Sequence, residues 1–98
     1  MQEIMPKEKS ESERAAGKLI SAIQKEWGLE IGEPAAEQSE LVIGLAHELL
    51  QARNAASMRN VLGSKPIKEF LGSNWVQSHG GVEFAILELE AAIRNESA

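Results

Sequence analysis

The 98-residue chain carries 15 acidic and 10 basic side chains for a net charge of −5, with 43% hydrophobic residues and no Cys, Asp, Thr or Tyr. That length holds one small domain, and the missing residue types exclude a disulfide framework, a thiolate zinc site, a cysteine nucleophile, an EF-hand and a Ser-His-Asp triad. Ala, Glu, Leu, Lys, Gln, Arg and Met supply 56 of the residues; they lose little side-chain freedom in a helix, so the chain reads as all-α, a small up-down-like bundle of three long helices plus one short one.

A single helical domain is expected over residues 1–98, with residues 1–9 as a flexible N-terminal tail. No apolar run in that tail has the length of a signal peptide or a membrane span. The expectation is a soluble, cytoplasmic protein without a membrane partner.

The first helix has the clearest start. Ser10-Glu11-Ser12-Glu13 matches a capping box, in which the Ser10 hydroxyl accepts from the backbone N–H of residue 13. Ala16, Leu19, Ile20, Ile23 and Trp27 then recur at helical spacing as one narrow apolar stripe. Gly28 is placed to end this helix in the left-handed conformation, with Leu29 and Ile31 folding back on its last turn.

The second helix starts at Pro34, well suited to a first turn, or later with Ser39 as cap. Leu41, Val42, Leu45, Ala46, Leu49, Leu50 and Ala52 cover about half of its circumference at 100° per residue. Such breadth predicts a core helix contacted from two sides. At Arg53 and Asn54 the stripe loses phase, which implies a bend or a new partner, and Gly63 closes the segment. Ser64 then caps a short helix from about Pro66 to Leu71, stopped by Gly72. Residues 73–81 give at most one further turn, pinned to the core by Phe70, Leu71, Trp75 and Val76.

The last helix, Val82 to Arg94, carries two apolar stripes. Val82, Ala85, Ile86, Leu89 and Ile93 form one; Phe84, Leu87 and Ala91, at i, i+3 and i+7, form another on the opposite side. If the second helix is central, this second stripe is left for a partner, because contiguous exposed apolar surface marks interfaces. If the last helix is itself central, both stripes are core.

Charge is uneven along the chain. Arg53, Arg59, Lys65 and Lys68 occupy residues 49–68 without a single acid, between flanking segments of −5 and −4. One reading makes this basic patch a docking site for an acidic partner or a phosphate backbone. The other pairs each cation with a Glu brought near by folding. Read as helix, Gly-Ser turn, helix, the same interval gives a helix-turn-helix-like nucleic-acid binder, with Lys65 and Lys68 near the start of a short recognition helix. An acidic protein repels phosphate backbones, which makes nucleic acid the lesser alternative.

Ser78-His79-Gly80-Gly81 is the most site-like loop: paired glycines opening a helix can cradle an anion on backbone N–H groups, with Ser78 or His79 adding a bond. Neither a nucleophile elbow nor a phosphate-binding glycine loop matches its spacing. His47 has Gly44 where a di-iron helix needs Glu, and Gln51 where a zinc-protease helix needs His. A solvated His47 is expected, and no metal or cofactor. Trp27, Trp75, Phe70 and Met58 suggest core more than a small-molecule pocket. The surplus apolar helix face favours a non-catalytic protein–protein interaction module, either a self-associating homodimer or an adaptor or regulatory subunit.

Overall fold

In the computed structural model, which describes residues 10–97, the chain follows the order α1 (Glu11–Gly28), α2 (Ala35–Ala52), α3 (Ala55–Leu62), α4 (Ile67–Leu71), α5 (Ser73–Ser78), a 3-10 turn (Gly80–Val82) and α6 (Glu83–Ser97). The all-α class and the three long helices follow the sequence pattern, with three short helices where one was expected. The assignment of residues 1–9 as a tail lies outside the described residues.

Helix α1 is the central element. It packs extensively against both α2 and α6, which make little direct contact with each other; α3 and α4 span the gap between those two. The broad apolar arc of α2 had pointed to α2 as the centre, and that expectation is corrected. Neighbour number depends on how closely backbones approach, and α1 buries the small residues Ser12, Ala15 and Ala16 along with Leu19, Ile20 and Ile23. On α2, Val42, Ala46 and Leu49 are buried, whereas Leu45 and Leu50 are half-covered and Leu41 faces solvent. Leu19, Ile23, Leu49, Met58, Ile67, Val76, Val82 and Leu89, drawn from every layer, form the fully buried centre.

The Ser10 cap forms as its sequence predicts, accepting the Glu13 N–H at 3.0 Å. The far end of α1 does not. Gly28 stays helical, Leu29 caps the helix in a right-handed conformation, and Gly32 (φ 91°) provides the left-handed residue of the turn. Leu29 and Ile31 consequently do not fold back; they are 80% and 66% exposed. Pro34 rather than Ser39 precedes α2, and Pro66 rather than Ser64 precedes α4, neither with a side-chain cap.

The predicted change at residues 53–54 is a complete break. Arg53 adopts φ 73°, a left-handed conformation uncommon for a side chain with a Cβ, and Asn54 caps α3 by accepting the Ser57 N–H at 2.9 Å. The Arg53 carbonyl accepts the Ser10 hydroxyl at 2.8 Å, which ties the break to the start of α1.

One carboxylate fixes the same end of the molecule. Glu96, near the end of α6, accepts the Ser12 N–H and hydroxyl at 2.7 and 2.8 Å, and the Ala55 N–H at 3.1 Å. It therefore caps α1 and α3 together, satisfying donors at two helix starts while placing negative charge at two positive dipole ends. The bond from the Ser12 backbone N–H, with those from the Ser12 hydroxyl and Ala55, holds its pKa below the ordinary carboxylate value against the opposing effect of burial. At the opposite end of the bundle, the Glu26 carboxylate lies 2.6 Å from where a Gly81 Cβ would sit. With Ser12 meeting Glu96 and Glu26 meeting Gly81, α6 runs antiparallel to α1.

Replacing Glu96 with Ala uncaps two helices, and by the usual worth of a cap should lower stability by about 1–2 kcal/mol in urea unfolding at pH 7. Because a lowered carboxylate pKa contributes stability that is lost as pH falls through the folded value, the gap between wild type and variant should close in acid.

Candidate functional site

The densest polar constellation joins the α1–α2 turn, α2 and α5. His79 Nε2 lies 2.6 Å from Glu30 Oε2, and His79 Nδ1 lies 2.7 Å from the Trp75 carbonyl oxygen. The Ser39 hydroxyl donates to Glu30 Oε1 at 2.6 Å, and the Trp75 indole N–H donates to Ser39 Oγ at 2.9 Å. The Trp75 and His79 rings stack with centroids 4.1 Å apart and planes 11° from parallel. The interactions form a closed ring: Trp75 to Ser39 to Glu30 to His79 and back to Trp75.

Local sequence builds it. Trp75 and His79 stand four residues apart, the spacing that puts side chains on one helical face. Ser39 sits on the buried side of α2 with Val42, Ala46 and Leu49. The Glu30 N–H donates to the Trp27 carbonyl at 2.9 Å, and its own carbonyl accepts the Glu33 N–H at 2.8 Å, so the turn is fixed before its side chain reaches α5.

The donor inventory sets the charge state. A carbonyl and a carboxylate both only accept, so this geometry favours the doubly protonated ring, the imidazolium. Burial is the largest influence and opposes this charge. The bond to Glu30, the bond to the Trp75 carbonyl and the charges of Glu30 and Glu26 together outweigh it and hold the His79 pKa above its ordinary value. Glu30 is lowered, first by the Ser39 hydroxyl and then by His79. The cation also lies over the Trp75 ring, an additional attraction.

Such a cluster ties the α1–α2 turn, α2 and α5 together. In the imidazolium neither ring nitrogen offers a lone pair, and Ser39 is completely buried with its proton committed to Glu30. The sequence makes the loop Ser78, His79, Gly80 and Gly81 a candidate anion cradle. Its histidine engages an internal anion, Glu30, the Glu26 carboxylate stands beside Gly81, and the Ser78 hydroxyl donates to the Asn74 carbonyl at 3.0 Å. An external anion at this loop would meet two carboxylates.

The other sequence-selected residues fall in different places. Phe84 and Leu87 are 72% and 63% exposed, and Ala91 is half-buried; all three lie on the side of α6 opposite its buried stripe. Arg59 and Lys65 border one open cleft together with Arg94, which sequence reasoning had set outside the basic interval. Arg53 stands apart at the α2–α3 break, and Lys68 is exposed on α4, only five residues long and short for a recognition helix. Among the described residues, no carboxylate lies within 4 Å of the charged groups of Arg53, Lys65, Lys68 or Arg94, so folding does not pair these cations with Glu.

His47 is half-buried with Nδ1 3.0 Å from the Ile43 carbonyl oxygen. Met58 and Trp75 belong to the core, while Trp27 borders a separate cleft with Gly28 and Ile43. Among the described residues, no three His or Glu side chains converge as a metal site requires, and no helix is long and apolar enough to cross a membrane. Sequence reasoning missed Glu30, Ser39 and Glu96. The Trp75/His79 spacing was the one available signal for the ring.

The chain matches no family model, no curated protein and no solved structure.

Two measurements probe the ring. Ser39→Ala leaves the buried Trp75 N–H without its acceptor, which should cost roughly 1–3 kcal/mol in urea unfolding. A raised histidine pKa gives stability that is complete below the ordinary value of 6.5 and lost as pH rises through the folded value. The wild-type unfolding midpoint should therefore fall between pH 6 and pH 9, whereas Glu30→Gln, which leaves only the Trp75 carbonyl and the Glu26 charge to oppose burial, should flatten that trend. A wild-type midpoint that does not fall over this range would show that the pair adds nothing.

Proposed function

We propose that this protein is a non-catalytic, cytoplasmic protein–protein interaction module that self-associates through the outward face of α6. One observation carries the reading: Phe84 and Leu87, two large apolar side chains one turn apart, stand 72% and 63% exposed on a helix whose opposite face is already buried. Aromatic and aliphatic groups so placed are typical centres of interfaces.

The chemistry of α6 favours a second copy as the occupant. Phe84 and Ala91 lie seven residues apart, nearly two turns, so antiparallel pairing of two α6 helices about a two-fold axis sets each Phe84 over the partner's small Ala91. The two Leu87 side chains then meet near the axis. The same pairing brings Glu83 of one copy toward Arg94 of the other, opposite charges at the rim. A closed two-fold dimer is the commonest outcome of such an isologous contact. The two anchors alone fall short of the ~800 Å² per partner of a standard interface, so the flanking polar residues of α6 must contribute its rim.

Light scattering and sedimentation velocity should give a dimer for the wild type. Leu87→Glu should shift it to monomer with unchanged helicity and an unfolding midpoint no longer dependent on protein concentration, and Phe84→Ala, which removes one anchor worth about 2 kcal/mol from each copy, should weaken dimerisation by roughly a thousandfold. Reversing Glu83 and Arg94 together should restore what either reversal alone weakens. A monomeric wild type at high micromolar concentration overturns self-association.

A further inference from the structure

The cleft between α3, the α3–α4 loop and α6 has a character that neither the α6 face nor the Glu30–His79 ring shares. It is an open cleft of about 430 Å³, a size that small-molecule sites share. Three cations border it from three separate elements: Arg59 from α3, Lys65 from the loop and Arg94 from α6, against the single carboxylate of Glu90. In a chain of net charge −5 this is a local positive concavity, and low-dielectric walls focus such a field onto whatever enters. Lys65 and Arg94 have no carboxylate within 4 Å among the described residues. Folding thus brings Lys65 and Arg94, some thirty residues apart in sequence, to the border of one cleft.

The geometry points to a binding site for a phosphate-bearing small molecule in this cleft. Arg94 supplies a planar fork of donors suited to phosphate oxygens, and Lys65 supplies a mobile point charge. Ser64 also lines the cleft. Leu62, Pro66 and Ile93 form an apolar wall beside the cations, so the cleft takes an organic body as well as a phosphate. A bare ion would leave most of its volume unused.

The test is an amide-resolved NMR titration of the full chain with inorganic phosphate at constant ionic strength, with sodium chloride as the balancing salt. Saturable shifts are expected at the amides of residues 63–65 and 93–94. Lys65→Ala and Arg94→Ala should each weaken the fitted affinity by about tenfold, the usual scale for one charge-assisted contact. Lys25→Ala, which removes the same charge from an exposed position on α1, should change it by less than about twofold. Circular dichroism should show the same helicity for all three variants, whose altered side chains are exposed. Shifts that do not saturate, that chloride reproduces, or that Lys25→Ala weakens as much as Arg94→Ala overturn the assignment.

Discussion

The fold depends on bringing α2 and α6 against opposite sides of α1 and holding them in register, and the carboxylate of Glu96 is the point where that register is set. Its two oxygens receive donors from the first turns of α1 and α3, so the end of the last helix is fixed to the start of the first and to the helix that bridges the bundle. Apolar burial supplies most of the driving force but is non-directional. Leu89 sliding by one turn along α1 would still bury comparable area. A carboxylate that must satisfy three donors at once does not tolerate such a shift, since each unmet buried donor costs about as much as a core methylene or more.

The molecule is stapled at both ends by Glu side chains, and this explains much of what a helical reading of the chain could and could not foresee. Periodicity located every long helix, because burial of one face imposes a repeat on the residues themselves: Leu19, Ile20 and Ile23 on α1, and Ile86, Leu89 and Ile93 on α6, are buried as their spacing requires. The Ser10 cap, the interruption at Arg53 and the stop at Gly72 were equally visible, being local chemistry. The identity of the central helix was not. Apolar width on a helical wheel measures how much surface a helix offers, whereas Ala15, Ala16 and Ser12 show that a narrow stripe of small side chains admits neighbours more closely.

The polar ring was illegible for a related reason. Glu30 and His79 are 49 residues apart and Glu96 and Ser12 are 84 apart, and nothing in a carboxylate's local sequence announces its distant partner. Ser39 had the credentials of a helix cap and instead became an interior linker. Gly28 had those of a helix stop, yet the next residues continued the helical turn and left the left-handed position to Gly32. In both cases two local solutions were nearly equal, and tertiary contacts chose between them. Among the described residues Phe84 and Leu87 of the α6 stripe stay exposed, the outward placement that their helical spacing implies.

The closed ring around Ser39 has a consequence for how this sequence can change over time. Each of its groups serves two others: Ser39 accepts from Trp75 and donates to Glu30, and Glu30 holds both Ser39 and His79. Removing any one strands two partners in poorly solvated surroundings, so the first step away is the costly one and later steps cost less. Glu30, Ser39, Trp75 and His79 should accordingly behave in descent as a single character. A diverged copy of this chain would keep all four or have exchanged the whole set for an apolar seam, with mixed versions rare between those two solutions.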